Sequence, residues 1–282
     1  MEERNVDILE RIHAAYYQLT AAERRVADYV LAQHRQVQFM SITQLAEKCG
    51  TAEATISRFC RSLKLKGFNA FKIELAQHSG APAPESPVRP ANSITARSLE
   101  IGRLANDAVH RTIELVDPKL VRKAIQIIEN ASHVICMGTG GSMIMASECS
   151  HMFSSVTGKF FAISDFHNQI STVATMSPND VIILFSYSGA THNNLQILEL
   201  AKARGIPTIL VTRFHNSPAA ELADIVLCCG SNEGPFRFGS IPARIAQLVV
   251  VDVLFQEYCH RNWEQCKERI QSINAALAGM HV

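Results

Sequence analysis

Five short runs rich in β-branched residues alternate with amphipathic segments in the C-terminal two-thirds of the chain, and this alternation constrains the fold most strongly. The predicted strands are His133–Met137, Phe160–Ile163, Val181–Phe185, Thr208–Thr212 and Ile225–Cys228. The segments between them predict helices at Met143–Ser155, Phe166–Thr175, Asn193–Arg204 and Pro218–Leu222. Strands that alternate with helices form parallel sheets. We therefore expect an α/β domain with a five-stranded parallel sheet and helices on both faces.

The remaining periodic segments are all helical in pattern. Helices are predicted at Ile94–Val116 and Lys119–Asn130 before the strands, and at Ala243–His260 and Trp263–Leu277 after them. Near the N-terminus the predicted helices are Val6–Leu19, Ala21–Gln33, Ile42–Lys48, Glu53–Leu63 and Asn69–Gln77. Two of these begin with a capping-box sequence, in which side chains satisfy the free N–H groups of the first turn, at Thr20–Glu23 and Ser41–Gln44.

A proline-rich stretch separates the two kinds of pattern. Residues 78–92 contain four prolines and little apolar content, which is typical of a semi-extended linker. The predicted organisation is an all-α domain over residues 1–77, a linker over 78–93 and an α/β domain over 94–282.

The composition favours a cytoplasmic, reducing environment. The eight cysteines form no C-x-x-C pair and lie mostly in apolar runs, so we expect small buried side chains. The histidines lack metal-site spacing, and we expect no metal and no cofactor. No apolar run reaches the length of a membrane span, and residues 1–10 lack the apolar core of a signal peptide.

Two short predicted helices and the turn between them have the proportions of a helix-turn-helix. The second helix is expected to bury Ile56, Cys60 and Leu63 and to present small, hydroxylic and guanidinium side chains, which suit the major groove. Five basic residues and one acidic residue lie between Thr51 and Lys72. The candidate DNA-binding residues are Thr51, Ala54, Thr55, Ser57, Arg58, Arg61, Lys64 and Lys66. A plain helical bundle with a charged outer face is the alternative from spacing alone.

Two loops that follow predicted strands suit an anion. Residues 138–142 read G-T-G-G-S and residues 186–191 read S-Y-S-G-A-T, and each runs into a helix. Glycine lets backbone N–H groups approach an anion at the positive end of a helix, and hydroxyls add donors. The first loop lacks the third glycine of a dinucleotide site and the Gly-Lys-Ser/Thr of a Walker A loop. By itself it also fits a turn required only for tight packing, but the second loop favours a phosphate site.

The N-terminal pattern resembles the DNA-binding domain of the RpiR family of bacterial regulators. The most specific match is E-A-T-I-S-R-F at residues 53–59, followed by Gly67 and Phe68. The chain departs from the family at Ala52, where a serine helix cap is usual, so either Thr51 supplies the cap or the helix begins weakly. Lys64 stands where the family has glycine, so the turn after the second helix is open to change, and the lysine is a candidate phosphate contact.

The two loops resemble those of the sugar isomerase (SIS) domain, which has a flavodoxin-like fold and binds phosphosugars. The resemblance implies an effector phosphate held by Gly140, Ser142, Ser186, Ser188, Gly189 and Thr191. Further candidates for contacts with the sugar are Asp165, His167, Glu233 and Arg244. A surface role for the first two, and an ion pair for Arg244, remain alternatives.

A helix-turn-helix, a linker and an SIS domain in this order form the RpiR layout. It implies a transcription regulator whose affinity for double-stranded operator DNA depends on a phosphorylated sugar. We expect this regulator to act as a dimer or tetramer and not to bind a membrane. The first alternative is an aldose–ketose phosphosugar isomerase with Glu148, His151, His167 or Glu233 as the base. The second is an interaction scaffold with vestigial loops.

Overall fold

A computed structural model of the chain describes residues 8–78, 93–230 and 241–278. These residues divide into two compact units, one of residues 8–78 and 93–103, the other of 104–230 and 241–278. The division falls inside a single helix, α6 (Ile94–Leu115). The predicted linker lies almost entirely outside the described residues, so the predicted domain boundaries remain predictions.

The first unit is helical, as predicted. Its elements are α1 (Ile8–Ala15), a 3-10 turn (Tyr16–Gln18), α2 (Ala21–Val37), α3 (Ile42–Cys49), α4 (Glu53–Ser62) and α5 (Phe68–His78). The apolar sides of these helices share one core, in which Phe59 and Phe71 meet edge to face. Burial of such aromatic side chains contributes about 1.5–3 kcal/mol each.

Both predicted capping boxes are present. The Thr20 hydroxyl accepts from the Glu23 amide, and the Glu23 carboxylate accepts from the Thr20 amide at 2.9 Å. Ser41 and Gln44 make the same reciprocal pair at the start of α3. The prediction for α2 ended too early, because the helix continues to Val37 beyond a non-helical residue, Gln33.

The second unit contains the predicted sheet. Its helices after α6 are α7 (Pro118–Asn130), α8 (Gly141–Ser154), α9 (Phe166–Thr175), α10 (His192–Ala203), α11 (Pro218–Leu222), α12 (Ile241–Arg261) and α13 (Trp263–Leu277). The strands are β1 (Val134–Gly138), β2 (Phe160–Ala162), β3 (Val181–Phe185), β4 (Thr208–Thr212) and β5 (Ile225–Cys228). All pairings are parallel, in the order β2-β1-β3-β4-β5.

Helices cover both faces of this sheet, which confirms the predicted fold class. Alternate strand residues face α7, α8 and α12 on one side, and α9, α10 and α11 on the other. The chain runs from β1 outward to β2, and from β3 outward to β4 and β5. Helix α8, which follows β1, and helix α10, which follows β3, therefore leave neighbouring strands toward opposite faces, and a crevice opens between the loops of such a reversal.

No helix within the described ranges combines the length and apolar character that crossing a bilayer would require.

Candidate DNA-binding surface and phosphate crevice

Helices α3 and α4 and the three residues between them form the predicted helix-turn-helix. Gly50 ends α3 with φ of 59°, a left-handed conformation that glycine adopts without strain. The amides of Gly50 and Thr51 donate back to Glu47 and Ala46, which is the Schellman arrangement. The turn is thus held by backbone hydrogen bonds and needs no side chain.

The start of α4 lacks a side-chain cap. Ala52 occupies the N-cap position without such a hydrogen bond. The Thr51 hydroxyl does not replace it, because its oxygen is buried with no partner among the described residues. Instead Thr43 in α3 donates a hydrogen bond to the Glu53 carboxylate and ties the first residue of α4 to α3.

The outer face of α4 presents fewer residues than the sequence predicted. Ala54, Arg58 and Arg61 are exposed and Ser57 is half-buried, in agreement with the prediction. The prediction was wrong for Thr55, which is only 4% exposed.

Thr55 is buried because α4 packs against several helices of its unit, so its buried stripe widens to Thr55, Ile56, Phe59 and Cys60. The Thr55 hydroxyl accepts a hydrogen bond from Arg58 Nη2 at 3.3 Å. Thr55 therefore positions an arginine of the outer face.

The turn after α4 keeps the geometry expected of glycine although Lys64 occupies it. Lys64 has φ of 59°, and the amides of Lys64 and Leu65 donate to Arg61 and Cys60 in a second Schellman arrangement. A side chain in this conformation costs about 1–2 kcal/mol. Lys64 and Lys66 are both exposed beside the outer face of α4.

Glu23 anchors the other end of α4. Its carboxylate accepts from the Ser62 hydroxyl at 3.2 Å as well as from Thr20. Burial alone would raise the pKa of this carboxyl, but the hydrogen bonds from Thr20 and Ser62 and the charge of Arg58 hold it below its ordinary value. The ionised carboxylate therefore stabilises the helix-turn-helix.

In the second unit, the register of β1 and β3 brings the two predicted phosphate loops together. Gly138, at the end of β1, pairs with Phe185, at the end of β3. The two loops thus begin side by side at the carboxyl edge of the sheet. The β1 loop runs into the N-terminus of α8 and the β3 loop into that of α10, where free N–H groups and the helix dipole favour an anion.

The β1 loop is shaped by glycine. Gly140 has φ of 55° and ψ of −127°, a conformation open essentially only to glycine. A Cβ on Gly138 would lie 3.0 Å from backbone atoms of Phe185 and Ser142, so the loop packs tightly on β3. Ser142 follows as the second residue of α8, half-buried, with its hydroxyl 3.5 Å from Gln247 Nε2 of α12.

The β3 loop places its three hydroxyls at different depths. Ser188 is exposed and its oxygen accepts from the Ala190 amide at 3.3 Å. Thr191 is the N-cap of α10 without a side-chain cap bond. Ser186 is 2% exposed, and its oxygen has no partner among the described residues. Only Ser188 and Thr191 therefore reach the surface of the loop as described, and Ser186 lies beneath it.

Gly189 fixes the shape of the same loop. Its φ is 63°, and a Cβ there would lie 2.0 Å from the Ser217 oxygen and 3.2 Å from the Thr212 oxygen. The loop is also joined to α11 by a bond from the Ala219 amide to the Gly189 carbonyl at 2.9 Å. The close approach to Ser217 leaves no room for a side chain.

Comparisons with known proteins agree with both units. Residues 6–81 match the model of the helix-turn-helix domain of the rpiR family, and residues 127–256 match that of the SIS domain. An uncharacterised HTH-type transcriptional regulator of Caldanaerobacter subterraneus subsp. tengcongensis is 30% identical over 274 residues, covering 96% of this chain and 97% of the relative. The chain belongs to the RpiR family of transcriptional regulators.

Two solved structures are similar to this chain. The Vibrio vulnificus NanR protein complexed with ManNAc-6P is 26% identical, has a TM-score of 0.85 and covers 98% of this chain and 100% of its own. The sugar isomerase domain of an RpiR transcription factor from Sphaerobacter thermophilus has a TM-score of 0.58 at 23% identity, covering 63% of this chain and 98% of its own. The latter likeness supports the α/β fold of this RpiR-family chain.

The residues predicted to contact the sugar in this RpiR-family chain differ in exposure and in hydrogen bonding. Asp165 caps α9, and its carboxylate accepts from the Asn168 amide at 2.9 Å, so it has a structural role. His167 is exposed in the first turn of α9. Arg244 is half-buried one turn before Gln247, on the face of α12 that reaches Ser142. Glu233 lies outside the described residues.

Sequence reasoning missed a set of buried carboxamides behind the loops. Gln169 is fully buried, and its Nε2 donates to Gly138 at 3.0 Å and to Ile163, which ties α9 to the ends of β1 and β2. Asn194, in the first turn of α10, is 1% exposed, and neither atom of its amide has a partner among the described residues. Both residues could have been found in the sequence, because each is a carboxamide at a position that helical spacing places on the apolar face of its helix.

Proposed function

We propose that this RpiR-family regulator binds operator DNA with α4 and that a phosphorylated sugar bound between the β1 and β3 loops changes its operator affinity. The observation that carries the proposal is the pairing of Gly138 with Phe185, which sets two glycine-shaped loops and two helix N-termini side by side. A phosphate there would meet converging N–H groups and the hydroxyls of Ser142, Ser188 and Thr191. The NanR protein, similar over its whole length, is complexed with a sugar phosphate.

The DNA-binding half of the proposal rests on the outer face of α4. Arg58 and Arg61 lie one turn apart beside the small side chains of Ala54 and Ser57, which permits close approach to base edges. Lys64 extends the face with a charge suited to the phosphate backbone. Recognition of a two-fold operator requires two such helices, so we propose that the regulator acts as a homodimer.

A ligand-controlled regulator explains the site better than an isomerase. Catalysis needs a base beside the reacting carbons of the sugar. Glu148 and His151 lie six and nine residues beyond Ser142 along α8, which places them roughly 9 and 14 Å from Ser142 along the helix axis at 1.5 Å per residue. Of the other two candidate bases, His167 lies in the first turn of α9 and Glu233 lies outside the described residues, and both are residues to change if turnover is found.

A thermal-shift screen against hexose, pentose and amino-sugar phosphates and their unphosphorylated parents tests the proposal. At least one phosphosugar should raise the melting temperature, its parent should not, and none should be converted to its isomer. Stabilisation by the parent sugar to the same degree would refute phosphate recognition. Turnover that stops in the His167→Ala or the Glu233→Gln variant would establish the isomerase instead.

A further inference from the structure

Helix α13 carries a solvent-open apolar seam with the spacing of a coiled coil. Trp263, Cys266, Ile270, Ile273 and Leu277 follow one another at intervals of three, four, three and four residues. Cys266 is buried in the core of the unit, whereas the other four side chains are 36–61% exposed. Such spacing describes the a and d positions of a heptad, which in coiled coils face a second helix.

The rest of α13 has little support from its own unit. Every residue from Lys267 to Ala278 is exposed, so the helix projects beyond the point where Cys266 holds it. Isolated helices shorter than about 12–15 residues are marginal in water, and most helices are stabilised by packing of an apolar face. The seam is the only continuous apolar face on this part of α13, and it is the face available for such packing.

The charges beside the seam are distributed so that α13 can pair with itself in antiparallel orientation. Lys267 and Arg269 flank its N-terminal half, and Asn274 and Ala276 flank its C-terminal half. In an antiparallel pair, each basic residue would lie opposite an uncharged one of the second copy. It would also lie near the negative end of the dipole of the other helix, which stabilises cations. Like charges are thereby kept apart.

The structure assigns α13 as an interface that pairs antiparallel with α13 of a second copy of this chain, centred between Ile270 and Ile273. An antiparallel pair of identical helices is two-fold symmetric, as an isologous dimer contact must be. The inference rests on the homodimer of the proposed function and names a surface that forms it.

Sedimentation of the full chain over a range of concentrations tests the interface with two variants and a control. Ile273→Glu places a carboxylate in the seam and should raise the dimer dissociation constant by about 100-fold or more. Gln271→Glu adds the same charge to the outer face and should leave that constant unchanged. Circular dichroism and the effector-induced melting shift report whether each variant is folded.

A gain-of-function variant tests the orientation. Ala276→Glu should lower the dissociation constant by roughly 2- to 10-fold, because two new ion pairs with Arg269 form only in the antiparallel arrangement. A dimer unaffected by Ile273→Glu would overturn the interface, and no tightening by Ala276→Glu would overturn the orientation. A wild-type chain that stays monomeric at tens of micromolar would overturn both, while the phosphosugar melting shift would still be judged separately.

Discussion

Replacing Gly189 with alanine tests whether the β3 loop is shaped by close packing. The left-handed φ of 63° costs an alanine about 1 kcal/mol, partly offset by the lower entropy of the unfolded chain. The new Cβ would also lie 2.0 Å from the Ser217 oxygen, and overpacking of this kind costs about 1–3 kcal/mol. The second unit should therefore melt roughly 5–12 °C lower, and the loop should bind phosphosugar more weakly.

Gly205 provides a matched control for the backbone conformation. Its φ is 68°, but no atom of the described residues beyond its two chain neighbours lies within 4 Å of the position a Cβ would take. Gly205→Ala should therefore lower the melting temperature by only about 2–4 °C. Adding Ser217→Gly to Gly189→Ala should restore most of the difference in melting temperature between the Gly189→Ala and Gly205→Ala variants, since glycine is tolerated at an N-cap. Equal melting of the Gly189→Ala and Gly205→Ala variants in scanning calorimetry would refute the close-packing argument.

Three further predictions concern the first unit. Thr55→Val keeps the buried volume but removes the acceptor of the hydrogen bond from Arg58, so operator affinity in a gel-shift titration should fall about 3- to 10-fold. An unchanged operator affinity would mean that this hydrogen bond does not position the arginine. Lys64→Gly should stabilise the unit by about 0.5 kcal/mol in a denaturant titration, and a loss of stability would contradict the strain at this turn. The same change should reduce the slope of log affinity for the operator against log salt concentration by about one unit. The depressed pKa of Glu23 contributes stability that is present above the unfolded value of about 4.3 and lost as pH falls through the lower folded value. Glu23→Gln should flatten the fall of melting temperature between about pH 5 and pH 3, and a variant with the wild-type acid profile would show that another group governs it.

The sequence predicted the sheet closely because its central strands β1, β3 and β4 are buried on both faces. Such strands appear as continuous apolar runs, and β3 and β4 were located to the residue. The edge strand β5, which is buried only at alternate residues, was also located to the residue. The capping boxes fixed two helix starts for a similarly local reason. The prediction for β1 was shifted by one residue at both ends. Its C-terminal end was missed since Gly138 pairs with Phe185 although glycine is a poor strand former.

The sequence predictions were wrong or incomplete where tertiary packing determines how deeply a side chain is buried or which backbone conformation a residue adopts. Thr55 fits the outer face by helical spacing, but the width of the buried stripe on α4 depends on how its neighbours lie. The backbone of Lys64 follows the Schellman turn despite its side chain. The buried amide of Asn194, which has no partner among the described residues, could be recognised only once α10 was placed against the sheet. The two loops could therefore be recognised from the sequence as a candidate site, whereas the depth at which each polar group lies could not.

The most direct test of the account measures operator binding with and without the phosphosugar identified by thermal shift. Fluorescence anisotropy would compare the wild type with a variant carrying Ser142→Ala and Ser188→Ala. Hydrogen bonds to a charged group contribute about 1.5–3 kcal/mol each, so each change should weaken effector binding roughly 10- to 100-fold. The variant should bind operator normally without sugar and respond only at far higher concentrations of it. A response at the same effector concentration as the wild type would contradict the phosphate site between the β1 and β3 loops.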